Sequence, residues 1–150
     1  MKDCLTDSYN RAYLIERLHQ MSDNYRRVRK EFSLIILDID YFKKVNDEHG
    51  HLAGDMVLVQ LVKIINKEIR SYDLLGRYGG EAYRLINRIL NIIRKKNFVY
   101  DGNNIQITFS AGVVGSSEVE IADLGVESLI SLADSRLYMA KEIGWNKVVR

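Results

Sequence analysis

The chain has 150 residues, 47% of them hydrophobic and 28% charged, enough for one buried core and too few for two independent ones. Its 22 Lys and Arg face 20 Asp and Glu; a net charge of +2 excludes nucleic-acid or membrane binding through bulk charge, so any phosphate recognition has to be local. The single cysteine, Cys4, excludes an internal disulfide, no four-ligand zinc pattern of Cys and His occurs, and no run reaches the roughly 18 apolar residues of a membrane helix, so a reducing, cytoplasmic setting without membrane contact is expected.

Leu14, Leu18, Met21, Tyr25 and Val28 recur at spacings of three and four, predicting a long amphipathic helix that runs to about residue 30. Residues 32–39 follow as an apolar run whose continuous Leu34-Ile35-Ile36-Leu37 core predicts a strand covered on both faces, ending in Asp38-Ile39-Asp40. A short helix from about residue 41 leads to a predicted turn at 50–55, and Leu58, Leu61, Val62, Ile65 and Ile69 mark the next helix. Residues 73–78 read as a short strand, and Gly79-Gly80 as a turn, since two glycines admit positive φ. Leu85, Ile86, Ile89, Leu90 and Ile93 restore the helical period. Asp101-Gly102-Asn103-Asn104 predicts a hairpin turn before an alternating, β-branched strand over 105–114. Leu129, Ile130, Ala133, Leu137 and Ala140 form the last helical stripe, with Gly144 as its cap and 147–149 as a closing strand. Helices alternating with short strands predict an α/β layering.

Asp38 and Asp40 end the apolar strand, Asn46, Asp47 and Asp55 follow closely, and Glu81 lies on the glycine turn. Carboxylates gathered at strand ends suit Mg²⁺, a hard ion that takes oxygen ligands and substrate phosphates together. The same residue types also cap helices and solvate turns; Asn10 and Asp134 are expected to cap or brace helices, and His19 and His49 to face solvent.

Taken in order, Leu37-Asp38-Ile39-Asp40-Tyr41-Phe42-Lys43-Lys44-Val45-Asn46-Asp47, then Gly50-His51-Leu52-Ala53-Gly54-Asp55, then Arg77-Tyr78-Gly79-Gly80-Glu81 resemble the GGDEF family of diguanylate cyclases. Asp3-Cys4-Leu5-Thr6 with Tyr9-Asn10-Arg11, Ser110-Ala111-Gly112-Val113, and Ala133-Asp134 with Leu137-Tyr138-Met139-Ala140-Lys141 extend the resemblance over nearly the whole chain. It implies a single GGDEF-type domain over residues 1–150, the output domain of a larger signalling protein. The implied fold is an α/β (α+β) sandwich like the nucleotidyl cyclase and polymerase palm: a central, mainly antiparallel sheet with a ferredoxin-like core, flanked by helices. The implied reaction condenses two GTP into cyclic di-GMP and two pyrophosphates across a homodimer.

The resemblance also assigns residues. Asp38, the main-chain carbonyl of Ile39, and Glu81 would hold Mg²⁺, with Mn²⁺ as the alternative ion, and Glu81 and Lys43 would be catalytic. Asn46 and Asp55 would read the guanine edge of GTP, His51 would add a substrate contact, and Lys141 a phosphate contact from the last helix. Arg70-Ser71-Tyr72-Asp73 resembles the family's Arg-x-x-Asp inhibitory site, implying product feedback through Arg70 and Asp73.

The pattern breaks at the 81/82 junction. There the family continues with a second acidic residue, Phe, a strand and a loop, whereas Ala82-Tyr83-Arg84-Leu85 reads as the start of the next helix, about a dozen residues short at ordinary strand and loop lengths. In the family that strand lies between the Asp38 strand and the 73–78 strand, so its loss leaves backbone groups on both unpaired. Another segment fills the gap, the domain folds differently, or a stretch of the natural chain is absent from the sequence. Trp145 stands after Gly144 where the family usually has a phosphate-binding arginine, and is read as packing against the surface or serving a partner. The expected function is a diguanylate cyclase with product feedback; the alternative is a catalytically inactive relative that receives GTP or cyclic di-GMP.

Overall fold

The computed structural model describes residues 2–6, 8–69 and 79–150, so the predicted strand at 73–78 and the Arg70 and Asp73 pair lie outside the described residues. Helix α1 (Arg11–Val28) starts where the Asn10 side chain accepts a hydrogen bond from the Tyr13 N–H at 3.0 Å, the capping role expected of it. The chain continues through β1 (Ser33–Ile39), α2 (Phe42–His49), α3 (His51–Glu68), α4 (Gly79–Lys95), β2 (Phe98–Tyr100), β3 (Asn103–Ile105), β4 (Phe109–Gly115), α5 (Val126–Glu142) and β5 (Val148–Val149).

β1 pairs antiparallel with β4 from Ser33↔Gly115 to Ile39↔Phe109, and β5 adds in parallel on the far side of β4. The two-residue period of a strand splits the apolar residues between two layers. Ile35, Leu37 and Ile39 join Phe109, Ala111 and Val113 against α3 and α4, while Leu34 and Ile36 join Val114 against α5 and α1. The sheet is therefore the middle of three layers, and β1 is covered on both faces as expected. Gly112 sets the approach of α5 to β4: a Cβ there would stand 2.0 Å from the Ala133 carbonyl oxygen and 2.6 Å from the Leu137 nitrogen.

Three elements differ from expectation. Residues 51–55 are helical, because Gly50, at φ +89°, makes the bend alone and α3 begins directly after it. Gly79 and Gly80 are not a turn but the first residues of α4; the buried stripe of Ala82, Ile86, Ile89, Leu90 and Ile93 outweighs the roughly 1 kcal/mol penalty of each helical glycine. The predicted strand over 105–114 is two strands, since β3 pairs with β2 and β4 pairs with β1. The hairpin turn between β2 and β3 is as expected, with Asp101 and Gly102 at φ 47° and 76°, the left-handed pair that a two-residue hairpin requires. Among the described residues no helix is long and apolar enough to cross a membrane.

Candidate functional site

The carboxylates that close β1 have different surroundings. Asp40 is only 4% exposed and accepts hydrogen bonds from Thr108 Oγ1, from Ser110 Oγ at 2.7 Å and from the Asn146 N–H at 2.8 Å. A buried carboxylate is tolerated when donors saturate it, and this one ties the end of β1 to the start of β4 and to the loop after α5. Asp38 is exposed, and its Oδ2 lies 2.7 Å from Lys141 Nζ.

Lys141 Nζ also sits 5.4 Å from the centroid of the Trp145 ring. That ring stacks on Tyr41, with centroids 4.6 Å apart and planes at 28°. Tyr41, Trp145 and Asn146 adopt positive φ of 53°, 59° and 53°, a conformation uncommon outside glycine. Trp145 is held there by its N–H bond to the Ala140 carbonyl at 3.0 Å.

The α2–α3 elbow carries the residues expected to read guanine. Lys43 is exposed in the first turn of α2, and His51 is exposed at the start of α3. Asn46 and Asp55 are half-buried. A Cβ on Gly54 would stand 1.9 Å from Asn46 Oδ1, so the absence of a side chain at Gly54 lets Asn46 pack against the helix turn that carries Asp55.

Glu81 is not brought to this corner. It lies in the first turn of α4, and the residue of α4 that reaches the corner is Arg94, whose Nε and Nη2 donate to Asn146 Oδ1 and O at 2.7 and 2.8 Å. Glu81 and Arg94 are on the order of 20 Å apart along the helix at about 1.5 Å of rise per residue. Tyr83 agrees with that placement: its ring lies 4.6 Å from the guanidinium of Arg150, beyond the strand β5 that runs away from the Asp38 end.

The physical reason is the short connection after Glu81. With no strand to carry the chain back across the sheet, the glycine signature is drawn to the end where α4 begins. Oxygen donors from Asp38, Ile39 and Glu81 would suit Mg²⁺ chemically, but the arrangement does not assemble them, and among the described residues no three His, Cys, Asp or Glu side chains group closely enough to hold a metal. Asp40 with Thr108, Ser110 and Asn146 was not foreseen as one unit. Two hydroxyls two positions apart, Thr108 just before β4 and Ser110 within it, were a usable signal, but only the register of β4 shows what they face.

The chain matches the family model described as diguanylate cyclase, GGDEF domain, over residues 1–147. It is 34% identical over 149 residues to diguanylate cyclase A of Treponema denticola, covering 90% of this chain and 39% of that one. To the probable diguanylate cyclase DgcT of Escherichia coli it is 36% identical over 163 residues, covering 99% of this chain and 35% of that one. The chain thus spans well under half the length of these curated relatives. An alignment of 163 positions exceeds the 150 residues present, so DgcT carries about a dozen residues that this chain lacks. The crystal structure of diguanylate cyclase SiaD with its activator SiaC from Pseudomonas aeruginosa superposes with a TM-score of 0.89 at 28% identity, over 99% of this chain and 60% of that one, which bears out the cyclase palm fold. The chain belongs to the GGDEF family of diguanylate cyclase domains.

Proposed function

We propose that this chain is a guanine-nucleotide receptor of its family, binding GTP or cyclic di-GMP without condensing GTP. The observation that carries the reading is the position of Glu81 at the end of α4 remote from Arg94 and the Asp38 corner. The residue types support nucleotide recognition: Asn46 and Asp55 would supply an amide and a carboxylate that match guanine's donors and acceptors, and Lys43 and Lys141 cations toward phosphate. In this role the chain serves as the output module of a larger cytoplasmic signalling protein, passing on nucleotide occupancy by protein contact.

The test is incubation of the full chain with GTP and Mg²⁺ or Mn²⁺, with chromatography for cyclic di-GMP and calorimetry for binding. Binding without product is the expected result, and product formation overturns the reading. Calorimetry of Arg70→Ala with cyclic di-GMP tests the Arg70 and Asp73 product site, where loss of binding is expected.

The curated relatives' names favour a second reading, a working cyclase acting as a homodimer with product feedback. It needs Mg²⁺ or Mn²⁺ at Asp38, the Ile39 carbonyl and Glu81, and a rearrangement that returns Glu81 to Asp38. Under it, Asp38→Ala abolishes Mg²⁺-dependent GTP binding. Grafting a relative's hairpin strand after Glu81 separates the readings: turnover gained only by the graft supports the receptor, and equal turnover without it supports the cyclase.

A further inference from the structure

Asp38 already has a cation. Lys141 Nζ stands 2.7 Å from its Oδ2, with the lysine side chain 27% exposed and the aspartate 53%. Trp145 shields the ammonium with its ring, and Tyr41 backs that ring on its stacked face. A cation over an indole face is attracted by the ring quadrupole, so the tryptophan favours the lysine position that meets Asp38. Among the described residues no group of three metal-ligating side chains forms there, and Glu81 lies in the first turn of α4 instead.

We propose that Lys141 is the standing counter-ion of Asp38, positioned by the Trp145–Tyr41 stack, and that this site therefore takes its guanine nucleotide without a divalent metal. This rests on the receptor reading above and names the form of ligand it accepts: the free nucleotide rather than its metal complex. Trp145 and Tyr41 are positioning residues that act through Lys141. The reason for Trp145 in the usual arginine position is then physical. A second cation beside Lys141 would compete for Asp38, whereas an aromatic face holds the first one in place.

The experiment is calorimetry of GTP into the full chain in EDTA and again in excess Mg²⁺. Affinities within about twofold of each other are expected, and a gain of tenfold or more with Mg²⁺ overturns the inference while leaving the receptor reading intact. No binding in either condition, with circular dichroism confirming a folded chain, overturns both. Lys141→Met exposes an uncompensated carboxylate to phosphate, so affinity in EDTA should fall roughly tenfold and Mg²⁺ should recover part of it. A variant that stays insensitive to Mg²⁺ overturns the counter-ion role.

Trp145→Phe keeps a ring and should bind like the native chain, whereas Trp145→Leu should move toward the Lys141→Met behaviour. Equal binding by the two variants removes the positioning role of the ring. Trp145 is the only tryptophan, so Mn²⁺ bound at Asp38 would quench the chain's tryptophan emission directly. No site-specific quenching is expected in the native chain, and saturable quenching that Asp38→Asn abolishes overturns the inference.

Discussion

β1 and β4 are seven-residue strands of one sheet, joined over their full length, yet they are buried differently. Every residue of β4 is buried, although its sequence, FSAGVVG, holds a serine and two glycines. β1, with the more continuous apolar run, leaves residues 33–37 half-buried. Both strands are covered by helices on both faces. β4 also has a strand on each side, whereas β1 pairs only with β4 among the described residues. Among the described residues, burial therefore follows lateral pairing and not hydrophobic content.

The largest expected effect tests β4. Gly112→Ala would drive a Cβ to 2.0 Å from the Ala133 carbonyl, against backbone that cannot swing aside, and more than about 4 kcal/mol of destabilisation, or outright failure to fold, is expected. Chemical denaturation is the check; near-native stability would mean that α5 is not seated on β4.

Truncation of one residue on each strand measures the difference between them. Phe109→Ala, at a fully buried site, should destabilise by about 3–5 kcal/mol, and Ile36→Ala on β1 by about 1–2 kcal/mol. Equal losses in urea melts would show that β1 is as buried in solution as β4.

Asp40→Asn comes next. The amide brings donors toward Thr108, Ser110 and the Asn146 N–H, where the carboxylate accepts from all three, and a loss of about 2–3 kcal/mol is expected. Because this corner also seats Trp145, the variant's tryptophan emission should shift to the red. Unchanged emission and stability would make the brace dispensable.

The smallest effect lies at the other end of β4. Glu118 accepts from the Gly115 N–H at 2.8 Å and pairs with Arg136 at 2.7 Å. Burial pushes its carboxyl up, but hydrogen bonds from Arg136 and the Gly115 N–H, with the charges of Arg136 and Arg150, outweigh that and hold it below the ordinary glutamate range. A lowered native value means that the stabilisation is full above the ordinary glutamate range and is lost as pH falls through the native one. Glu118→Gln should therefore be less stable at neutral pH by under about 1 kcal/mol, given its solvent screening, and the difference should vanish on acidification. A difference that persists in acid would assign it to packing.

Much of the framework could be read before any coordinates. The three-and-four spacing of Leu18 and Met21, or of Leu129 and Ala133, has one helical solution, and Asp101-Gly102 has one economical turn. The local geometry of the candidate site was legible where its residues lie close in sequence, as with Asn46 and Asp55 on either side of the elbow at Gly50. It was not legible where partners come from distant segments. Lys141 lies 103 positions from Asp38, and nothing in either neighbourhood states that they meet. Trp145 is conspicuous as a departure, but its stack on Tyr41 depends on two left-handed residues that local sequence does not demand.

Glu81 illustrates the boundary most sharply. Its motif identifies the family, and motif order is a property of the chain alone. Its location depends on how the following residues are spent, and without a returning strand the helix that starts there carries it to the other end of the sheet. Local spacing determined the elements, the family and the list of polar residues, because periodicity and turn chemistry act within a few residues. Which carboxylate meets a lysine, which is braced in the interior, and which is left remote were decided by strand register and connection length, because those alone bring distant segments together.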